Sequence, residues 1–182
     1  MIKSADKIKK VPQIGIDKAK LDKIILGYAG KPGSILGILE DAQKLNSHKY
    51  LAQDALEYIA EKTNIPVSRI YNIITFYAFF NLKPQGDHSI IVCRGTACHT
   101  RRSKNLLDYL INWFGFKEDD LASGEKSALT TKDNKFTVKT VACFGQCALA
   151  PVVEVDGNIY SHMTEEKLRK IIKDVLKKSK SR

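Results

Sequence analysis

All four cysteines of this 182-residue chain fall in two short elements, and that grouping is the strongest constraint on what it can fold into. Cys93-Arg94-Gly95-Thr96-Ala97-Cys98 has the form C-x4-C, and Cys143-Phe144-Gly145-Gln146-Cys147 the form C-x3-C. Cysteines placed as small hydrophobes for packing would scatter along the chain. Each pair follows a run with strand character. Ser89-Ile90-Ile91-Val92 precedes Cys93, and Phe136-Thr137-Val138-Lys139-Thr140-Val141-Ala142 precedes Cys143; both runs are rich in β-branched residues. Between the pairs, Leu106, Leu107, Leu110, Ile111 and Phe114 recur at the spacing of one buried helix face. Strand, helix, strand predicts a right-handed crossover with parallel strands. In that topology both cysteine loops leave the same end of the sheet, so four thiols can converge.

Three kinds of chemistry suit such a group of thiols. Disulfides are the plainest, but the sequence shows no secretory signal and cytoplasmic thiols are kept reduced. A four-cysteine zinc site is open, since zinc accepts pairs with two to four intervening residues. An iron–sulfur cluster on four thiolates is the third. The x4 spacing is wide for a zinc knuckle and suits ligands that grip two irons. Gly95, Thr96, Ala97, Gly145 and Ala148 are small, which lets backbone N–H groups approach bridging sulfides. The residues favour the cluster and leave zinc and disulfides open. A dithiol oxidoreductase needs an exposed low-pKa thiol beside a resolving cysteine, and these spacings do not favour one.

The same residues carry a family resemblance. Cys93-x-Gly95-Thr96-Ala97-Cys98-His99, then Cys143-Phe144-Gly145-x-Cys147-x-x-Ala150-Pro151, resembles the thioredoxin-like [2Fe-2S] ferredoxin subunits. That family includes the 24 kDa subunit of respiratory complex I. It also includes small subunits of NAD-linked and electron-bifurcating hydrogenases and of formate dehydrogenases. The resemblance extends upstream through Ala55-Leu56-Glu57-Tyr58-Ile59-Ala60 and Tyr71-Asn72-Ile73-Ile74-Thr75-Phe76-Tyr77 to about residue 30.

The resemblance implies an α/β class chain, a thioredoxin-like [2Fe-2S] domain preceded by a small all-α helical bundle. It implies one [2Fe-2S] cluster on Cys93, Cys98, Cys143 and Cys147. It places FMN, NAD(P) and further iron–sulfur clusters on partner subunits, the nearest being a flavoprotein with an FMN, an NAD(H) site and a [4Fe-4S] cluster. The chain then passes one electron at a time and has no catalytic site of its own. The assembly implied is a soluble hydrogenase or formate dehydrogenase, with complex I as the alternative. Outside that class stands a zinc-stabilised interaction module. Arg102 departs from the pattern, because many relatives carry a small or turn-forming residue there. The start of the following helix is where this chain should differ.

The remaining sequence fits a soluble protein of one ordinary domain plus an accessory segment. Apolar residues make up 43% and charged residues 27%, enough for a core and typical of soluble chains. The net charge of +10 invites a nucleic-acid reading, but most of it sits at the ends. Lys3, Lys7, Lys9 and Lys10 face only Asp6 in the first ten residues, and Lys173, Lys177, Lys178, Lys180 and Arg182 face only Asp174 in the last ten. Tail lysines without interleaved aromatics are solvated ends or contacts for an acidic partner, not a nucleic-acid module. The first residues lack the apolar centre of a signal peptide and the Arg-rich character of a transit peptide. A cytoplasmic chain without membrane insertion is expected. No G-x-G-x-x-G or G-x-x-x-x-G-K is present, so no nucleotide site is expected on this chain.

The expected order is a basic tail over residues 1–16, a helical bundle over 17–83, the cysteine-bearing domain over 86–178 and a basic tail over 179–182. Four amphipathic helices are predicted in the bundle, the first over 17–28, the second capped by Ser34, the third around Leu56 and Ile59, the fourth opened by Pro66 and Ser68. Tyr71, Phe76, Tyr77, Phe79 and Phe80 concentrate aromatic surface near its end, as core or as a contact for another protein. Residues 117–135 read as a loop before the second strand. Asp156-Gly157 predicts a hairpin, and a final helix follows Thr164. Arg94, Arg101, Arg102 and Lys104 flank the first cysteine pair, as a solvated face, a tuning charge or a docking surface. His99 follows a ligand directly, yet four cysteines already complete the set, so a hydrogen-bonding or surface role is expected of it.

Overall fold

The computed structural model describes residues 17–116 and 128–180, with side chains through Lys178. Two compact units divide between Lys83 and Pro84, each built on its own core.

The first unit holds four helices: α1 (Lys18–Gly27), α2 (Ser34–Leu45), α3 (Gln53–Thr63) and α4 (Val67–Phe76). Asp17 caps α1, its carboxylate accepting the Lys20 N–H at 3.2 Å. Ser34 does not cap α2. It is the first helical residue, and Gly33 precedes it at φ 68, a left-handed conformation that glycine adopts without strain. Leu21, Ile38, Leu39, Leu56, Ile59, Ile70 and Ile74 close one core, as their spacing predicts. Each such side chain contributes about 1.5–3 kcal/mol on leaving water.

One polar side chain is buried among them. Gln43 donates from Nε2 to the Phe79 carbonyl at 3.2 Å and accepts the Asn81 N–H at Oε1 at 2.7 Å. It therefore fixes the backbone just after α4 and divides the aromatic run. Phe80 is 3% exposed and belongs to the core, while Phe76 is 80% exposed and Tyr77, Phe79 and Leu82 also face solvent.

The second unit runs β1 (His88–Cys93), α5 (Thr96–Thr100), α6 (Ser103–Phe114), β2 (Leu129–Thr130), β3 (Phe136–Val141), β4 (Val153–Val155), β5 (Asn158–Tyr160) and α7 (Glu165–Lys180). Its sheet has five strands in the order β2-β3-β1-β4-β5. β1 and β3 pair in parallel with α6 between them in sequence, and the other pairings are antiparallel. Alternation along β1 buries Ile90 and Val92 and leaves Ile91 half-buried. Those residues meet Leu106 and Leu110 of α6, Leu168 and Ile172 of α7, and Val138 and Val153 in one core.

Asp156-Gly157 makes the two-residue hairpin between β4 and β5, with φ of 50 and 80 at the two positions, as a type I′ turn requires. Asp156 also reaches back to β1. Its Oδ1 accepts the Ser89 N–H and its Oδ2 meets His88 Nδ1, each at 2.8 Å. His88, which stands alone in sequence, is thus paired.

The stretch expected to be a loop over 117–135 contains a short strand. Leu129 and Thr130 pair with Val138 and Thr137, because the turn at Asn134 folds the chain back along β3. Residues 117–127 of that stretch and the tail expected at 1–16 lie outside the described residues. α7 runs two residues past the point where the C-terminal tail was expected to begin. Among the described residues no helix is long and apolar enough to cross a membrane.

Candidate metal centre

The parallel register decides where the cysteines go. Cys93 lies level with Val141 at the last rung of β1 and β3, so both chains leave the sheet side by side. The Arg94 N–H adds one more bond, to the Val141 carbonyl at 2.8 Å. Gly95 then passes against the second loop. A β-carbon there would lie 2.9 Å from the Ala142 carbonyl oxygen and 3.3 Å from both Cβ and Sγ of Cys143. The two loops meet in direct contact because residue 95 has no side chain.

From Gly95 the chain winds into α5, whose first bond runs from the His99 N–H to the Gly95 carbonyl at 2.8 Å. That turn carries Cys98 on its buried side. In the second loop the Gly145 N–H donates to Cys143 Sγ at 3.2 Å. A short 3-10 turn, Cys147–Leu149, brings Cys147 Sγ to 3.8 Å from Cys143 Sγ. That separation is well beyond the roughly 2.05 Å of a disulfide. Cys93, Cys98, Ala150 and Val152 form a small core of their own, with Ala97, Val141 and Phe144 packed on it.

All four thiols line one open recess of about 190 Å³, solvent at its mouth included, together with Gly95, Phe144, Gln146 and Val152. The recess has an inner and an outer side. Cys93 and Cys98 are 2% and 3% exposed, whereas Cys143 and Cys147 face solvent.

The thiols differ electrostatically as well. Burial pushes the Cys98 thiol up, and the neighbouring Cys93 adds to that. Cys147 is raised by hydrogen bonding and charge repulsion from Cys143. Burial also opposes ionisation of Cys93, but the N–H groups of Gly95 and Phe144 and the thiols of Cys98 and Cys143 outweigh it and hold Cys93 below its ordinary value. Cys93 is the thiol whose anion is best supported, because backbone dipoles already point at its sulfur.

The lining fits a thiolate-bound metal group. It offers four soft sulfur donors and no carboxylate or imidazole, the set shared by zinc and iron–sulfur sites. N–H groups directed at sulfur, from Gly95, Phe144 and Gly145, are the donors a negatively charged group needs around it. Among the described residues no three His, Cys, Asp or Glu side chains close on a point fit for a single ion. The sulfurs stand round a recess instead, which suits a group with two metal centres better than one tetrahedral ion.

Sequence reasoning names the four cysteines and the small residues beside them. It gives no sign of Val152, whose carbonyl accepts the Cys93 N–H at 3.2 Å and whose side chain walls the recess. Nor does it show which pair is buried, since that depends on how β4 returns beside β1. His99 is exposed and is not part of the lining.

A family model described as thioredoxin-like [2Fe-2S] ferredoxin matches residues 21–176, which spans both units. The chain belongs to this family. Among thioredoxin-like [2Fe-2S] ferredoxin relatives, an NADH-quinone oxidoreductase subunit of Rickettsia prowazekii (strain Madrid E) is 38% identical over 153 residues, covering 84% of this chain and 81% of that protein. NADP-reducing hydrogenase subunit HndA of Solidesulfovibrio fructosivorans is 31% identical over 143 residues, covering 78% and 77%. The fold is also similar to a chain in the crystal structure of NAD+-reducing [NiFe]-hydrogenase in the air-oxidized state, with a TM-score of 0.60 at 20% identity. That likeness covers 79% of this chain but only 23% of the other, so it speaks for the thioredoxin-like [2Fe-2S] ferredoxin fold alone.

Proposed function

We propose that this chain holds one [2Fe-2S] cluster on Cys93, Cys98, Cys143 and Cys147 and serves as the electron-transfer subunit of a multi-subunit, flavin-containing NAD(P)(H)-dependent oxidoreductase. The observation that carries the proposal is the convergence of all four thiols on one recess in a chain of this family. When bound, a [2Fe-2S] cluster supplies one-electron storage, its site alternating between charges of about −2 and −3.

The chain's own residues do the rest. Cys93 and Cys98 anchor the inner side, where Ala150, Val152 and Phe144 exclude water. Cys143 and Cys147 form the outer edge, where the cofactor of a partner can approach. The N–H groups of Gly95, Phe144 and Gly145 favour negative charge at sulfur and so support the reduced state. The partner in this reading is a flavoprotein carrying FMN, NAD(P) and a [4Fe-4S] cluster, with further iron–sulfur or catalytic subunits beyond it. Exposed Phe76, Tyr77, Phe79 and Leu82 on the helical unit are the contact surface we assign to that partner. The compartment in this reading is the cytoplasm.

The assembly is a soluble hydrogenase or formate dehydrogenase, supported by the hydrogenase subunit among the relatives. A complex I type assembly is the second reading, supported by the higher identity to the NADH-quinone oxidoreductase relative. Anaerobic purification tests the cluster. The protein should be red-brown, contain about two irons and two sulfides per chain and give a rhombic EPR signal on reduction. Stoichiometric zinc without iron would overturn the proposal in favour of a structural zinc module. Changing any one of the four cysteines to Ala should lose the cluster or leave it labile, while His99→Ala should keep it. Proteins that co-purify with the tagged chain distinguish hydrogenase, formate dehydrogenase and complex I.

A further inference from the structure

We propose that Arg101 is a positioning residue for the cluster, tying the two cysteine loops together and holding a positive charge beside them; this rests on the [2Fe-2S] reading above. Arg101 follows Cys98 by three positions and ends α5. Its Nη1 donates to the carbonyl of Ala150 at 3.1 Å. Ala150 in turn follows Cys147 by three positions, is buried, and bonds through its own N–H to the Cys147 carbonyl at 3.3 Å. One side chain therefore links the helix bearing Cys98 to the turn bearing Cys147 across a sequence separation of 49.

The residue type matters as much as the bond. A guanidinium is always charged and presents donors in a rigid fork, so it holds a carbonyl in place while keeping its charge. Among the described residues no carboxylate pairs with Arg101. Its charge is left to act on whatever anionic group the thiols hold. The neighbouring basic residues do not share this arrangement. Arg94 reaches the second strand through its backbone N–H, and its buried Nε has no partner among the described residues. Arg102 and Lys104 are exposed and make no side-chain bond to the second loop among the described residues.

Arg102 contributes in another way. It sits in the left-handed region at φ 67 and reverses the chain between α5 and α6. A non-glycine residue there is strained, and the turn it makes ends α5 at Arg101. The positive charge of Arg101 favours the more negative, reduced state over the oxidised one, and the tether keeps the two ligand pairs at a fixed separation. Loss of Arg101 should lower the potential and speed the release of metal.

The test uses the full-length chain, loaded anaerobically, as wild type, R101K, R101Q and R101L. EPR-monitored titration with dithionite, which delivers one electron without making or breaking a bond in the protein, reads the midpoint potential. Iron release to a chelator reads the tether, and thermal unfolding of the metal-free chain reads the fold. R101L should have a lower potential than wild type and release iron several-fold faster. R101K should restore the potential, and R101Q, which keeps a donor without charge, should slow release relative to R101L without restoring the potential. Wild-type potential in R101L overturns the proposal, even with lowered thermal stability, since that pattern is structural support alone. If R101L does not fold, R101Q decides by the same comparison, and a wild-type potential there overturns it equally. A colourless wild-type protein that takes up no iron would instead refute the cluster reading, and the two failures are distinct.

Discussion

Gly95 lies against Cys143 with no space for a methyl group between them: a β-carbon at residue 95 would stand 3.3 Å from the Cys143 sulfur and 2.9 Å from the Ala142 carbonyl oxygen. Gly95→Ala should therefore push the two cysteine loops apart. The strain, about 1–3 kcal/mol by analogy with overpacked cores, falls on the loops and not on the sheet. The variant should keep its circular dichroism spectrum but hold substantially less iron and sulfide per chain than wild type. Full loading with wild-type resistance to chelators would show that the loops yield freely.

Arg102 has the opposite defect, a side chain where the backbone does not want one. At φ 67 a β-carbon is strained, and glycine relieves that at some loss of chain entropy. Arg102→Gly should stabilise the metal-free protein by about 0.5–1 kcal/mol in urea unfolding. A destabilised variant would mean that the Arg102 side chain makes a contact worth more than the strain.

The two aromatic neighbours Phe79 and Phe80 should respond differently. Phe80 is core, and Phe80→Ala should destabilise the helical unit by about 3–5 kcal/mol. Phe76→Ser and Phe79→Ser remove exposed rings and should change stability by less than about 0.5 kcal/mol. In the cell they should reduce recovery of the flavoprotein with the tagged chain. Undiminished recovery with both rings replaced would remove this face from the contact surface.

How much of this was legible in the sequence depends on the range of the interaction. The helices of the first unit and the crossover through α6 were legible because their apolar spacing is a local property. Leu106 and Leu110, or Leu56 and Ile59, announce their buried face within a few residues. Asp156-Gly157 announces its turn in two. Gln43 does not announce its partners, because Phe79 and Asn81 lie more than thirty positions away. The two-residue strand at Leu129 is too short to carry an alternation. At the metal centre the ligand types and their pairing were plain. The split between a buried and an exposed pair was not, since it arises from β4 returning beside β1.

Gln43 also offers a direct test of the amide that holds the segment after α4. Gln43→Leu leaves the Asn81 N–H without its acceptor and the Phe79 carbonyl without the Gln43 amide. Stability should fall by about 1–3 kcal/mol, read as a lower midpoint in thermal or urea unfolding. Wild-type stability would show that water replaces the amide at no cost.

Exposure of the thiols makes a prediction for chemical modification. In metal-free protein Cys143 and Cys147 should be alkylated well before the buried Cys93 and Cys98. Loading with iron and sulfide should protect all four together. Peptide mapping after brief iodoacetamide treatment reads both effects. Early labelling of Cys93 would contradict the burial that separates the two pairs.

The level pairing of Cys93 with Val141 has one more consequence, for the chain as a polymer. A group bonded to both cysteine pairs fastens together two points separated by roughly 45 residues, Cys98 and Cys143. In the chain-entropy description such a closure removes about 4 kcal/mol of freedom from the unfolded state. Its midpoint of unfolding should thus depend on metal content far more than four surface-loop contacts would suggest. The centre is a staple as well as an electron site, and a protein stripped of it loses a cross-link along with its colour.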